Sequence, residues 1–230
     1  MAIIVLAHGA WNGSWGWRKM RPLLANAGHQ FFTPTMTGLG ERHHLAGPWI
    51  NLDTHINDIL GVIEAEELSD VTLLAHSYGG MVATGVADRA RDRVSRIIYV
   101  DAIVPRDGQA VTDIMPERDL PSGTDDDWQI PPSPQSPDNT PEDSAWLERH
   151  RRPHPVGCFT QKISLSAEPS CHRHYVYALN YGPVDRFAPF RDRARDEDGW
   201  TLHHIDSTHS PNVTAPWALF GIIQDILEPQ

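Results

Sequence analysis

The stretch VTLLAHSYGGMV (residues 71–82) decides the fold that the sequence predicts. Four residues typical of a buried strand lead directly into His76 and Ser77, and an apolar pattern with helical spacing follows two glycines. A strand that turns this abruptly into a helix can hold its turn residue in a strained conformation, with the side chain above the sheet edge. Such a turn needs small residues two positions before and after it, and Ala75 and Gly79 occupy those positions. The stretch therefore predicts Ser77 as a nucleophile, although a serine here can also be a simple helix N-cap.

Two backbone N–H groups are predicted to hold negative charge near Ser77. The N–H of Tyr78 points toward the space above the hydroxyl, at a helix N-terminus that favours developing negative charge. The first predicted strand runs into LAHGAW (residues 6–11), where Gly9 allows tight passage and Ala10 supplies the second N–H. We expect His8, beside this loop, to be structural.

A serine hydroxyl is a weak nucleophile and needs a base, which His209 is best placed to supply among the 13 histidines. In serine hydrolases built on a strand–turn–helix corner, the partners follow in the order serine, acid, histidine. His209 lies in the loop between a predicted strand, WTLHHI, and the closing helix, whereas His203 and His204 lie within that strand. An ordinary loop histidine is the alternative interpretation.

The composition limits the class of protein. A chain of 230 residues, 40% hydrophobic and 21% charged, predicts one domain with a real core and an inserted lobe. A formal net charge of −11 and the lack of a basic stripe argue against a nucleic-acid partner. The apolar N-terminal run is too short for a signal peptide or a membrane span. Cys158 and Cys171 lack metal-ligand spacing and favour a reduced cytoplasmic setting, with a single disulfide as the alternative.

Short apolar runs alternate with helical patterns along most of the chain, which predicts a mostly parallel sheet with helices on both faces. The clearest helix is expected to begin at an Asp53 N-cap, and the last one to open at Thr214. Residues 105–170 differ, because they are rich in proline and show little periodicity. A disordered linker is one interpretation of this segment. Its large apolar residues instead favour an inserted lid on a core formed by residues 1–104 and 171–230; they are Trp128, Trp146, Phe159, Ile163 and Leu165.

Four segments of the sequence are similar to those of a known group of proteins. They are VLAHGAWNGSWGWRKMRPLLANAGH, AHSYGGMV, YVDAIVP and THSPNVTAP. Together they resemble the branch of the α/β-hydrolases that contains plant methylesterases, hydroxynitrile lyases and bacterial carboxylesterases of the pyrethroid type. TPTMTGLGERHHL is most similar to the bacterial esterases. The resemblance covers about three quarters of the chain and fails across the predicted lid. It implies an α/β-hydrolase fold with about six strands, no cofactor, Ser77 as nucleophile, His209 as base, and Ala10 and Tyr78 as oxyanion donors.

The sequence departs from this resemblance at one position, that of the acid in the expected triad of serine, acid and histidine. In the plant members it follows the strand that corresponds to HYVYAL, and that position is Tyr181 here. The alternatives are Asp185 one turn later, Asp206 near His209, and Asp101 at the end of the fourth strand. We favour Asp101, because chemistry concentrates at the carboxyl ends of parallel strands and its apolar neighbours would bury a carboxylate that needs a partner.

The sequence thus predicts a lidded serine esterase without metal or cofactor, acting on a small or medium, uncharged, partly aromatic ester. Aromatic residues that can line the substrate pocket are Trp11, Trp15, Trp128, Trp146 and Phe187, each of which can equally be core. A hydroxynitrile lyase using the same serine and histidine, or a non-catalytic receptor that has lost a triad member, is the alternative. Whether the chain is a monomer or a homodimer stays open.

Overall fold

The computed structural model describes residues 1–116, 120, 127–180 and 185–228, and within them a single parallel sheet organises the chain. Its six strands lie in the order β2-β1-β3-β4-β7-β8, with every neighbouring pair parallel. Strands β5 and β6 form a separate antiparallel pair. The strands are β1 (Ile3–Ala7), β2 (Gln30–Phe32), β3 (Val71–His76), β4 (Val94–Val100), β5 (Gln129–Ile130), β6 (His154–Pro155), β7 (His172–Ala178) and β8 (Trp200–Ile205).

Helices cover both faces of this sheet, as the sequence predicts. They are α1 (Met20–Asn26), α2 (Leu52–Ala65), α3 (Gly79–Arg89), α4 (Val111–Ile114), α5 (Pro141–His150), α6 (Gly157–Thr160), α7 (Ala188–Asp196), α8 (Pro211–Thr214) and α9 (Pro216–Leu227). Alternate residues of β1 point to opposite faces, so Ile4 and Leu6 pack with α1 and α9 while Val5 and Ala7 pack with α2 and α3. No helix in the described ranges combines the length and apolar character that a membrane span requires.

Two helix starts differ from the predicted ones. Helix α2 is capped by Asn51, whose Oδ1 accepts from the Thr54 N–H at 3.1 Å, and Asp53 lies in its first turn. Thr214 ends the short helix α8, and Ala215 is the N-cap of α9. At α2, several neighbouring polar residues can supply the cap equally well in a sequence pattern. At α9, the Thr214 hydroxyl instead bonds with Ser207 Oγ and the Ser210 carbonyl, and the N-cap Ala215 makes no side-chain bond.

The segment of residues 105–170 contains α4, β5, α5, β6 and α6 in its described part, and it packs on the core. Trp146, Phe159 and Ile163 are buried, as their apolar character suggested. Helix α5 is fastened to the loop before α1, because Lys19 Nζ lies 2.7 and 2.8 Å from the two carboxylate oxygens of the buried Asp143. The same ammonium donates to the Val213 carbonyl at 2.9 Å, so one lysine joins the segment to the region after β8.

At the junction between β3 and α3, the backbone of the first turn of α3 lies close to the backbone at the end of β1 and after β4. A Cβ atom placed on Gly79 would lie 2.0 Å from the Ala7 carbonyl oxygen and 2.8 Å from that of His8. A Cβ on Gly80 would lie 2.1 Å from the Ile103 carbonyl oxygen. Only glycine fits here without moving the first turn of α3 away from the ends of β1 and β4.

We predict that Gly79→Ala lowers the free energy of unfolding by about 3 kcal/mol, because the added methyl group meets rigid backbone. The matched control is Gly61→Ala in α2, where a Cβ meets no atom within 4 Å. That change should raise the free energy of unfolding by about 1 kcal/mol through helix propensity. Urea unfolding of the three proteins measures both values, and a Gly79→Ala protein as stable as the parent would contradict the packing argument.

Candidate active site

Ser77 stands at the corner between β3 and α3 in a strained backbone conformation. Its φ is 54°, in the left-handed region that non-glycine residues rarely adopt. The Ser77 carbonyl accepts hydrogen bonds from the N–H groups of Gly80 and Ile103, at 3.1 and 3.0 Å, which hold the corner in place. The strain directs the side chain away from the sheet, as expected for an exposed nucleophile.

His209 contacts Ser77 on one side and Asp101 on the other. Its Nε2 lies 2.9 Å from the Ser77 Oγ, and its Nδ1 lies 2.5 Å from Asp101 Oδ2. The carboxylate only accepts, so Nδ1 carries the proton and Nε2 is free to accept the proton of the Ser77 hydroxyl. Residues from three different sheet connections thus form one continuous hydrogen-bonded relay.

Asp101 is held in place by the sheet itself. It follows β4 directly, is fully buried, and has a φ of 45°. Its N–H donates to the Val176 carbonyl at 2.8 Å, and its Oδ1 accepts from the Ala178 N–H at 3.4 Å. The buried carboxylate therefore has hydrogen bonds on both oxygens, one of them from the His209 ring.

The two other acids weighed from sequence are engaged elsewhere. Asp185 Oδ1 accepts from the N–H groups of Phe187 and Ala188 at 3.0 and 2.9 Å, at the start of α7. Asp206 Oδ1 accepts from the side-chain amide of Asn180 at 2.8 Å. Tyr181, which occupies the position of the acid in plant relatives, lies outside the described residues.

The loop after β1 brings Ala10 beside the Ser77 corner. A Cβ on Gly9 would lie 2.8 Å from His76 Nδ1 and 3.2 Å from the Ser77 Cβ, so the glycine allows this approach. Within the described residues, neither the Ala10 N–H nor the Tyr78 N–H has a hydrogen-bond acceptor. Both residues line the same cavity as Ser77. Two unengaged N–H donors next to a nucleophile can stabilise an oxyanion.

Two buried histidines support this arrangement, and one of them was missed from sequence. His8 Nδ1 donates to the Gly9 carbonyl at 2.9 Å while its Nε2 accepts from the Met36 N–H at 3.1 Å, which is a structural role. His76 Nε2 donates to the His209 carbonyl at 2.7 Å, and the two rings lie 5.0 Å apart. Burial lowers the pKa of His8 to about 4 and that of His76 to about 3, so both rings are neutral at pH 7. Only the position of His76 next to Ser77 could have suggested its role.

A cavity of about 280 Å³ opens above Ser77 and His209. Of the aromatic residues predicted to line the pocket, Trp11 and Phe187 do so, and Phe187 stacks on the His209 ring at 4.7 Å. Phe159, which the sequence assigned only to the lid core, lines it as well.

Trp15, Trp128 and Trp146 are not among the described residues that line this cavity, which corrects the expectation for all three. Trp15 and Trp146 pack edge to face at 5.3 Å, and Trp15 borders a second cavity beside His150. Trp128 packs against the main hydrophobic core. These rings stabilise the packing between elements. This is the core role that was the alternative interpretation for each aromatic residue predicted to line the pocket.

One cluster in the described part of the chain has the residue types of a metal site. His55, His154 and Cys158 are buried, with potential ligand atoms within 4.8 Å of one another. Both His55 nitrogens are already engaged, Nδ1 with the Tyr78 hydroxyl and Nε2 with the Thr37 carbonyl, each at 3.0 Å. Burial raises the pKa of the Cys158 thiol, which disfavours the thiolate that binds metals. The donor set therefore fits a hydrogen-bonded core better than a metal ion.

Comparison with known proteins agrees with this geometry. A sequence model described as "Alpha/beta hydrolase family" matches residues 4–220. The chain belongs to the alpha/beta hydrolase family. This confirms the resemblance and the fold predicted from sequence, with a six-stranded sheet between layers of helices.

Named relatives of this alpha/beta hydrolase come from bacteria and plants. It is similar to a carbendazim hydrolyzing esterase of Nocardioides sp. (strain SG-4G), with 36% identity over 94% of this chain and 96% of that one. Its fold is similar to that of a methylesterase from Arabidopsis, with a TM-score of 0.81, 21% identity and 99% of each chain covered. A pyrethroid hydrolase from Sphingobium faniae JZ-2 gives a TM-score of 0.71 at 20% identity, covering 98% of this chain and 96% of that one.

We predict that Asp101→Asn lowers kcat on a good ester roughly 10²- to 10⁴-fold, because the amide favours the wrong tautomer of the His209 ring. Asp185→Asn is the matched control and should change kcat little, since Asp185 accepts from backbone N–H groups and not from His209. Steady-state kinetics of both variants decide between the two acids. The reverse ranking would move the acid to Asp185.

Proposed function

We propose that this alpha/beta hydrolase cleaves carboxylic esters by way of an acyl-enzyme formed on Ser77. It is a carboxylic ester hydrolase in which His209 is the base and Asp101 the acid. The observation that carries the proposal is the relay from Ser77 Oγ through His209 to Asp101, with contacts of 2.9 and 2.5 Å. The names of its relatives, a carbendazim hydrolyzing esterase and methylesterases, support the same class of reaction.

The proposed reaction has two half-reactions with the same proton carrier. Ser77 Oγ attacks the ester carbonyl while its proton passes to His209 Nε2, and the Ala10 and Tyr78 N–H groups hold the oxyanion. The tetrahedral intermediate collapses, the alcohol leaves with the proton from His209, and the acyl group stays on Ser77. Water then attacks the acyl carbonyl, giving a proton to His209, and the acid departs as Ser77 recovers its proton. Asp101 keeps the ring oriented and stabilises the imidazolium in both halves.

The cavity supports a small or medium ester with an aromatic part. Its volume of about 280 Å³ and its Trp11, Phe159 and Phe187 walls suit an uncharged ring bearing the ester. Phe187, which stacks on the His209 ring, places an aromatic surface next to the proposed base.

We also propose that residues 105–170 act as the lid of this cavity. Ser133, Gln135, Asn139 and Arg151 of the segment line it, opposite the Ser77 corner. Substrate choice then depends on this segment more than on the core. A cytoplasmic location is part of the proposal, because the buried Cys158 and the partly buried Cys171 are both free.

We predict that a fluorophosphonate probe labels Ser77 and that Ser77→Ala removes nearly all ester hydrolysis while the fold is kept. His209→Ala should cost a similar factor, several orders of magnitude, because nucleophile and base act as a unit. Peptide mapping of the labelled protein and aryl acetate kinetics test both statements. Labelling of a different serine, or full activity in Ser77→Ala, would refute the proposal.

We predict that ester hydrolysis greatly exceeds cyanohydrin cleavage. Lyases of this branch typically have a threonine at the position of Gly9 and a lysine directly after the histidine, where this chain has Ser210. The neutral Ser210 lacks the charge that would stabilise departing cyanide. Parallel assays with mandelonitrile and aryl acetates measure the ratio, and a faster rate on mandelonitrile would contradict the class of reaction.

A further inference from the structure

Among the described residues, those that line the cavity above Ser77 include basic side chains and no acidic ones, in a chain that is negative as a whole. Two arginines, Arg151 and Arg186, are among the described residues that line it, and no aspartate or glutamate is. The formal net charge of the chain is −11. Cations gathered at a substrate cavity of an acidic protein suggest a ligand that brings negative charge.

Of the two, Arg151 has contacts that relate it directly to the cavity wall. Its Nη1 donates to the Ser133 carbonyl at 2.8 Å, and the guanidinium carbon lies 5.5 Å from the centre of the Trp11 ring. Arg151 is half-buried, and among the described residues no carboxylate forms an ion pair with it, the Ser133 carbonyl being the acceptor of its side chain there. Burial lowers the pKa of Arg151, and no neighbouring anion opposes that effect.

Some partly buried arginines of this protein are paired with carboxylates, whereas Arg93 and Arg96 donate to backbone carbonyls, as Arg151 does. Of these carbonyl-bound arginines, Arg151 lines the cavity. Arg193 contacts Glu168 and Glu197 at 2.8 and 2.9 Å. Arg42 contacts Asp58 at 3.1 Å. A guanidinium that is partly removed from water is stabilised by an anion, and Arg151 has no carboxylate partner among the residues that the structure describes.

The backbone fixes where Arg151 stands relative to the reaction. It directly follows α5, and the N–H of the next residue, Arg152, donates to the Trp11 carbonyl at 3.2 Å. Trp11 in turn follows Ala10, the proposed oxyanion donor. Arg151 is thereby tied to the wall of the cavity that carries the oxyanion loop, and it lines the same cavity as Ser77.

We propose that Arg151 binds a carboxylate of the substrate, so that the ester carries an acid group at the end away from its reacting carbonyl. This inference rests on the proposed esterase function and changes the substrate from a wholly uncharged ester to an aromatic ester that bears one carboxylate. The planar guanidinium can bind such a group through its Nε–H and Nη2–H donors, side by side. Arg151 is then a specificity residue that contacts substrate without taking part in proton transfer.

The test uses pairs of esters that differ only in charge. One pair is 3-acetoxybenzoate and 3-acetoxybenzamide, and the other is methyl hydrogen isophthalate and methyl 3-carbamoylbenzoate. The first pair places the carboxylate on the alcohol side of the ester bond, and the second pair places it on the acyl side. The measured quantity is the ratio of kcat/KM for the carboxylate over the carboxamide in each pair.

In at least one pair we expect the parent protein to favour the carboxylate, and Arg151→Met to lower that ratio on the order of 10- to 100-fold, as for a lost charge-assisted hydrogen bond. Arg151→Lys should keep part of the preference, because the charge remains and the fork is lost. Arg152→Met is the matched control, since its guanidinium borders the second cavity and donates to the Arg149 and Arg151 carbonyls. Its ratio should equal that of the parent.

An equal ratio in the parent and Arg151→Met, or no preference in either pair, overturns the inference while leaving the esterase proposal intact. If Ser77 is not labelled and no ester is cleaved, the esterase proposal has failed, and binding then tests Arg151 separately. Calorimetric titration of Ser77→Ala and of Ser77→Ala with Arg151→Met, using methyl hydrogen isophthalate, gives the two affinities. Weaker binding by the double variant supports the carboxylate contact, and equal affinities refute it.

Discussion

The contact on which the rest of this structure depends is the approach of the first turn of α3 to the ends of β1 and β4. Gly79 and Gly80 lie so close to the Ala7 and Ile103 carbonyls that a side chain at either position would overlap backbone. This approach fixes the Ser77 corner at the carboxyl end of the sheet. The loop after β1 then has one path, past His76 and Ser77, and that path brings the Ala10 N–H beside the serine.

Strain is concentrated where the chemistry is proposed. Three of the five non-glycine residues with positive φ in the described ranges are Trp11, Ser77 and Asp101, and they follow β1, β3 and β4. Conformations of this kind cost about 1–3 kcal/mol each and persist only where the surrounding structure enforces them. The fully buried β3 and its parallel neighbours provide that enforcement. The active-site geometry therefore uses part of the stability that the sheet supplies.

Much of this arrangement follows from local sequence. The parts that do not follow from it have a physical explanation. The Ser77 corner was predictable because a strand, small residues and a helix must meet there in a fixed order. Asp101 was predictable because an acid between apolar residues at a strand end needs a partner. Trp15 and Trp146 were predicted to line the pocket but pack elsewhere. An aromatic residue in a sequence indicates burial, and it does so equally for a core and for a pocket. The contacts of Arg151 were not predictable, since they depend on tertiary neighbours in a proline-rich segment without periodicity.

The Lys19 contact has a consequence for how the molecule opens. One ammonium holds Asp143 of α5 and the Val213 carbonyl, four residues after His209, and the carboxylate it pairs with is only 6% exposed. Lifting α5 from the core would leave that carboxylate without its cation, and Lys19 would lose one of the two contacts that join α5 to the segment after His209. The two regions form one cooperative unit, whose amide protons should exchange with solvent together. Release of α5 would therefore loosen the segment after His209, whereas the contacts of His209 itself with Ser77, Asp101 and His76 do not involve α5.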